Sequence, residues 1–125
     1  RGRKGQPGRG PRANEAVAQV TWTSQAIADL DAVSLFIARD APRYADLFAA
    51  RVFHATERLA EFPRSGRVVP ELRREDVREV IILGYRVIYR VLPEEVEILT
   101  VHHGARLLRD LDVSDRDTMT IQGLG

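Results

Sequence analysis

The chain of 125 residues has a composition suited to one small folded domain with short extensions. Hydrophobic residues make up 44% of it, which is enough for a core, and no apolar run approaches the length that crosses a membrane. The absence of cysteine excludes disulfides and thiolate metal sites. Because nothing in the sequence resembles a signal peptide, we expect a soluble, cytoplasmic protein.

The net charge of +1 hides an uneven distribution along the chain. Residues 1–12 hold five basic residues and no acid, and the remaining chain has 14 basic against 18 acidic residues, a net charge of −4. The start of the chain lacks hydrophobic periodicity, so we predict a disordered basic arm over residues 1–17. Such an arm is either an expression remnant or a solvated leader, or it contacts nucleic acid or an acidic partner.

Two amphipathic helices are predicted after a short strand at Ala18 to Trp22. The first begins after Thr23 or Ser24, which can cap it, and the second runs from about Pro42 to Glu61. Both show apolar residues at three- and four-residue spacing, so each has an apolar stripe. The stripe positions are Ala26, Ile27, Leu30, Val33, Phe36 and Ile37 in the first helix, and Ala45, Phe48, Val52, Ala55, Leu59 and Phe62 in the second.

Three strands are predicted between residues 77 and 103. They run from Val77 to Leu83, from Tyr85 to Leu92 and from Val96 to Val101, separated by Gly84 and by the sequence PEE. Links this short join antiparallel neighbours, so the stretch is a meander with one apolar face. A helical hairpin can cover that face. We therefore predict an α+β fold of order β-α-α-β-β-β, with the hairpin packed on a curled antiparallel sheet.

The predicted folded domain extends over residues 18–106. Residues 107–125 form a polar tail that could hold one helical turn around Leu107, Leu108 and Leu111.

No catalytic or cofactor motif stands out in the sequence. It has no glycine-rich phosphate loop, no Ser-His-Asp pattern, no nucleophile elbow and no metal-ligand spacing, so we expect no cofactor and no metal. His102 and His103 are adjacent on a strand and therefore point to opposite faces, which does not suit one shared ion.

The arginines of the sheet admit two interpretations. Arg86 and Arg90 share one strand face, and further arginines precede and follow it, including Arg67, Arg73, Arg74, Arg78 and Arg106. In the first interpretation they bind phosphates or the carboxylates of a partner, with Arg78, Arg86, Arg90 and Arg106 as the candidate partner-binding residues. In the second they pair with Glu75, Glu79, Glu95 and Glu97 on a solvated edge.

Several stretches, in this order and spacing, resemble the toxins of the RelE/ParE superfamily, from bacterial type II toxin–antitoxin systems. The resemblance covers about residues 20–106 and rests on the strand ending in Trp22, on SQAIADLDAVSLFIA, on the proline-started second helix, and on LAEFPRSGR, REVIILGYRVIYRV and ILTVHHGAR. It implies a strand, a helical hairpin and a curled antiparallel sheet. It also implies a plasmid-stabilisation-type system in which an antitoxin forms a hetero-oligomer with the toxin.

The RelE-like branch of this superfamily cuts messenger RNA on the ribosome, where basic residues and a late Tyr or His help the ribose 2′-hydroxyl attack the adjacent phosphate. The resemblance makes Arg86 the match to the arginine of the penultimate strand, with Arg67 and His103 assisting. The lysines of that branch have no counterpart, since Lys4 is the only lysine, and a fold with a charge of −4 suits an RNA surface poorly. Where that branch has its Tyr or His, this chain has Gly104 and Ala105, with His103 one position earlier.

The ParE-like branch is similar in its HHGAR-type ending and long hairpin, and its members poison DNA gyrase through protein contacts. That mode needs no acid and base pair, only a complementary surface. We therefore expect a ParE-like gyrase inhibitor, more an inhibitor than an enzyme, neutralised by a cognate antitoxin. The alternatives are a RelE-like ribosome-dependent endoribonuclease and a non-toxic module that only binds an antitoxin.

Overall fold

The computed structural model describes residues 17–104, which form two helices and five strands. In chain order these are β1 (Gln19–Trp22), α1 (Ser24–Asp40), α2 (Pro42–Glu61), β2 (Arg67–Val68), β3 (Val77–Ile82), β4 (Tyr85–Leu92) and β5 (Glu95–His103). The predicted tail and residues 1–16 of the predicted arm lie outside the described residues. Within residues 17–104, no helix is both long enough and apolar enough to span a bilayer.

The strands form one sheet with the order β1-β5-β4-β3-β2. Strands β3, β4 and β5 pair antiparallel, as the short links predicted. The two-residue strand β2, which the predicted order of elements lacks, pairs antiparallel with β3. Strand β1 instead runs parallel to β5, with Val20 opposite Val96. A parallel pairing needs a long connection, and here the hairpin and the whole meander separate the two strands. The predicted α+β fold is confirmed, and the parallel edge strand makes the sheet mixed.

Two side chains of the first helical turns fasten α1 to β5. The Thr23 hydroxyl accepts a hydrogen bond from the N–H of Ala26 at 3.0 Å and donates to the carbonyl of Leu99 at 3.0 Å. The N-cap predicted from the sequence therefore also joins the helix to the sheet. One turn later, the Asp29 carboxylate accepts from the N–H of Val101 at 3.1 Å.

The helices bury most of the predicted apolar stripe, but not all of it. Ile27 and Phe36 of α1 stay 57% and 62% exposed, and Phe62 is 54% exposed. Successive helical residues lie about 100° apart, so Phe36 points away from the partly buried Ile37. The prediction was wrong for Phe62 because this residue lies just beyond α2. The stripe positions that do reach the core are Ala26, Leu30, Val33, Ile37, Ala45, Phe48, Val52, Ala55 and Leu59.

Apolar residues cover both faces of the sheet, whereas the sequence predicted one apolar face. The helices pack on the first face, and we call the buried cluster that they form with this face of the sheet the helix-side cluster. On the other face, Ile88 and Leu99 belong to a second buried cluster. Val69 and Leu72 of the connector between β2 and β3 (residues 69–76) complete that cluster, so the connector crosses the sheet instead of leaving it open to solvent.

A β-bulge at Leu99 lets β5 contribute to both clusters. Ile98 lies opposite Tyr89, while Thr100 lies opposite the preceding residue of β4. Ile98 and Val101 both contact the helix-side cluster, although strict alternation would put residues three apart on opposite faces. Leu99 belongs to the cluster under the connector.

Gly66 joins the turn after α2 closely to the sheet. Its N–H donates to the Tyr89 hydroxyl at 2.9 Å. A Cβ at Gly66 would lie 2.6 Å from that hydroxyl and 2.6 Å from the carbonyl oxygen of Glu79. Tyr89 is fully buried, and burial raises the pKa of its hydroxyl, so the hydroxyl stays neutral at physiological pH. The turn therefore requires glycine at this position, because a side chain has no room there.

Replacing Gly66 with alanine should lower the free energy of unfolding by about 1–3 kcal/mol, because the added methyl group meets a backbone carbonyl and a buried ring that cannot move aside easily. The control is Ser65→Ala at the exposed neighbouring position, which should change stability by less than about 0.5 kcal/mol. Urea unfolding followed by circular dichroism measures both effects. Equal stability of Gly66→Ala and the unsubstituted protein would contradict the close contact.

Candidate functional site

Four charged side chains form an ion-pair cluster on the sheet face that the connector covers. We call Arg67, Glu71, Glu79 and Arg86 the arginine–glutamate cluster. Arg86 donates from Nε to Glu79 at 2.6 Å, and from Nη1 and Nη2 to the two carboxylate oxygens of Glu71 at 2.8 and 2.7 Å. Arg67 donates to the second carboxylate oxygen of Glu79 at 2.5 Å. The side chains of Arg86 and Glu79 are 5% and 0% exposed, so their ion pair is buried.

Strand register brings three of these residues together. Arg67 of β2 lies directly opposite Glu79 of β3. Glu79 and Arg86 are diagonal neighbours across β3 and β4, a separation that long side chains can bridge. The fourth residue, Glu71, comes from the connector, whose apolar residues pack on the second buried cluster.

The cluster occupies the Arg86 guanidinium with carboxylates of its own chain. The hydrogen bonds to Glu71 and then to Glu79 raise the pKa of Arg86, although burial acts to lower it, and the side chain remains fully charged. Two arginines and two glutamates sum to zero charge. A phosphate could reach Arg86 only by displacing one of the carboxylates from its ion pair with this arginine.

Arg78 also pairs within its own chain. It donates to the Glu75 carboxylate at 2.8 Å and to the carbonyl oxygens of Glu75, Arg64 and Gly66 at 2.9, 3.2 and 3.0 Å. These bonds fasten the turn after α2 to β3. The last predicted partner-binding arginine, Arg106, lies outside the described residues.

Arg90 lies beside Asp76, the residue that precedes β3. Its Nε is 3.7 Å from a carboxylate oxygen of Asp76, and its Nε and Nη1 are buried without a hydrogen-bond partner. Arg74 makes the closer pair, with two hydrogen bonds to Asp76 at 3.1 and 2.8 Å. Burial acts to raise the pKa of Asp76, but the hydrogen bond and charge of Arg74, with the charge of Arg90, bring it below its usual value.

The two histidines separate across the sheet. His103 lies opposite Tyr85, with ring centroids 5.4 Å apart, and Tyr85 packs on the helix-side cluster. Arg86 follows Tyr85 on β4 and so points to the other face. The structure therefore joins Arg67 and Arg86 through a shared glutamate but does not bring His103 to them. Among residues 17–104, no group of three or more acidic, histidine or cysteine side chains could hold a metal ion.

The interpretation in which arginines pair with acids of the same chain describes Arg67, Arg78 and Arg86. It was incorrect in one respect, because the sequence suggested a solvated edge and the pair of Arg86 with Glu79 is buried. Sequence reasoning missed Glu71. No local pattern links this connector residue to β4, because only the path of the connector across the sheet brings them together.

Replacing Glu79 with alanine should lower the free energy of unfolding by about 3–5 kcal/mol, because it leaves the buried Arg86 without one of its two carboxylates. Glu75→Ala is the matched control. Glu75 also pairs with arginines, but its side chain is exposed, and its removal should cost at most about 1 kcal/mol. Urea unfolding at neutral pH compares them, and losses of equal size would contradict the buried pair.

Asp76→Asn should destabilise the protein at neutral pH but not in acid. The pKa of Asp76 is lower in the folded chain than in the unfolded chain, where it has its usual value of 3.8. The ionised carboxylate therefore contributes its full stabilisation of the fold at pH values above this unfolded pKa. That contribution disappears as the pH falls through the lower, folded pKa. Urea unfolding of both proteins at a series of pH values should show the difference shrinking below about pH 4. A difference independent of pH would contradict this role.

Known proteins share both this sequence pattern and this fold. The family model for the ParE toxin of the type II toxin–antitoxin system parDE matches residues 20–108. Toxin RelE2 from Caulobacter vibrioides is 37% identical over 91 residues, which cover 73% of this chain and 100% of that protein.

Two solved structures are similar. The chromosomal ParDE toxin–antitoxin system from P. aeruginosa matches with a TM-score of 0.59 at 22% identity, covering 70% of this chain and 97% of that one, which supports the fold. The toxin–antitoxin complex RelBE2 from Mycobacterium tuberculosis matches with a TM-score of 0.50 at 29% identity, covering 70% and 98%. Since the family model spans most of the folded residues and a full-length relative exceeds a third in identity, this chain belongs to the ParE toxin family of type II toxin–antitoxin systems.

Proposed function

We propose that the protein is a ParE-like toxin that inhibits DNA gyrase through protein–protein contacts and is neutralised by a cognate antitoxin. The observation that carries this proposal is the burial of Arg86 between Glu71 and Glu79. That arginine is the residue which a ribonuclease of the RelE-like branch would need at the RNA. An inhibitor that works through a complementary surface does not need it free.

The chemistry of RNA cleavage fits the described residues poorly. Attack by a ribose 2′-hydroxyl needs a base, an acid and cations that stabilise the charge developing on phosphorus. The arginine–glutamate cluster is neutral as a whole, and His103 is on the other face of the sheet from Arg86. Residues 17–104 contain no lysine that could supply a further cation. These features support inhibition over catalysis.

The open edge of β3 is the surface we propose for the antitoxin. Strand β2 pairs only with Arg78 and Glu79, and no other described strand covers β3 on that side. The backbone of Ile81 points to the same side as that of Glu79, and its side chain is 53% exposed. An extended antitoxin segment could pair with this edge and cover Ile81. The solved relatives, a ParDE toxin–antitoxin system and a RelBE2 toxin–antitoxin complex, support an antitoxin partner.

A ribosome-dependent endoribonuclease is the second candidate. The observation that favours it is the name of the relative RelE2, which matches this chain over its own full length. Under this alternative, Arg86 must leave Glu71 and Glu79 when messenger RNA binds in the ribosome, with Arg67 and His103 assisting.

Purified protein in molar excess over DNA gyrase should stop the supercoiling of relaxed plasmid and leave linear plasmid once the trapped enzyme is digested. The product of the adjoining reading frame, added first, should restore supercoiling. Ile81→Asp should still inhibit gyrase but resist this rescue, because a charge at the open edge disfavours strand pairing. Gel electrophoresis of the plasmid measures the inhibition, its rescue by the partner and the resistance of the Ile81→Asp variant to that rescue.

The same preparation should be added to ribosomes stalled on a defined messenger RNA. Full supercoiling at large toxin excess, together with cleavage at codon-determined positions on the ribosome, would contradict the gyrase proposal and favour the second candidate.

A further inference from the structure

An open cavity of about 620 Å³ lies at the end of the molecule opposite the β3–β4 turn. The residue after α2, the residue before β1 and the turn between β4 and β5 meet there. Its apolar lining consists of Ala18, Phe62, Pro63, Val91, Leu92 and Pro93. A cavity of this volume suits one large side chain together with some of its backbone.

The cavity combines an exposed aromatic ring with a basic rim. Phe62 is more than half exposed, although its position in the apolar pattern predicted a core residue. The guanidinium of Arg58 lies 5.7 Å from the centroid of the Phe62 ring. Arg64 also lines the cavity, and its guanidinium donates to the carbonyl of Glu75 at 3.1 Å and lies 3.9 Å from the exposed Glu75 carboxylate. Glu61 is the acidic residue of the lining. Within residues 17–104, Arg58 makes no ion pair with an acid, so its charge is available to a partner.

The cavity and the open edge of β3 border the same short turn. Ser65 lines the cavity, and the next residue, Gly66, packs against the backbone of Glu79, where pairing with β2 begins. A polypeptide that pairs with the open edge can therefore continue along this turn toward the cavity.

We infer that this cavity receives one large apolar side chain from an acidic segment of the antitoxin, whose carboxylates pair with Arg58 and replace the exposed Glu75 carboxylate as the partner of Arg64. The inference rests on the antitoxin partner proposed above and adds a second contact beyond the open edge. The ring of Phe62 and the prolines supply the apolar contact, while the arginine rim selects for acidic neighbours of the inserted side chain.

The test compares two pairs of substitutions on the same helix and the residue after it. Phe62→Ala and Arg58→Glu change the cavity, whereas Phe53→Ala and Arg51→Glu change exposed positions of α2 that do not line it. The full-length variants are titrated with the purified product of the adjoining reading frame by isothermal calorimetry. We expect each cavity substitution to weaken the Kd about tenfold or more, and each control to stay within about threefold. The loss for Arg58→Glu should shrink as salt is raised.

Other outcomes would overturn the inference. If the unsubstituted protein binds the partner and both cavity variants bind equally well, the cavity is not a contact, while the proposed function stands. If no binding occurs at all, the antitoxin proposal fails and this inference fails with it. Loss of gyrase inhibition in Phe62→Ala with unchanged partner binding would assign the cavity to the target. Concentration-dependent dimers that Phe62→Ala abolishes in sedimentation would assign it to a second copy of the chain.

Discussion

The buried ion pair between Glu79 and Arg86 is the constraint on which the positions of β2 and of the connector depend. Two charges removed from water must be fully paired and hydrogen-bonded, or the fold loses stability. The second carboxylate oxygen of Glu79 accepts a hydrogen bond from Arg67, and Nη1 and Nη2 of Arg86 donate to Glu71. Apolar packing alone would allow β2 and the connector to shift, but these directional bonds fix the register of β2 and the path of the connector.

The same constraint bears on function. On an exposed sheet, Arg86 would be a cation available to a partner. Under the connector it is buried and paired with Glu71 and Glu79. Among the described residues, the surfaces that we propose for partners lie elsewhere: the open edge of β3 near Ile81, and the cavity around Phe62 with Arg58 at its rim. Members of one fold can differ in activity through such local changes, because function resides in surface sites that the fold only supports.

The sequence predicted the two helices and the meander because their signals are local. Spacings of three and four residues mark a helix, and Gly84 marks a turn in which its φ of +87° is readily adopted. The periodicity could not say how wide a stripe the sheet would cover, so Ile27 and Phe36 were assigned to the core. It also could not show that Gly66 is needed for space, since the Tyr89 ring that fills the site comes from a distant strand.

By itself, then, the sequence determined the α+β class, the order of the two helices and of every strand except the short β2, a helix cap at Thr23 or Ser24, and the position of Arg86 and Arg90 on one face of β4. Only the tertiary structure decided that β1 pairs parallel with β5 and that Glu71 closes over Arg86. The physical reason is the range of the interactions. Local backbone preferences and periodic patterns act over a few residues, whereas a buried charge takes its partner from whichever distant segment the packing brings within hydrogen-bonding distance.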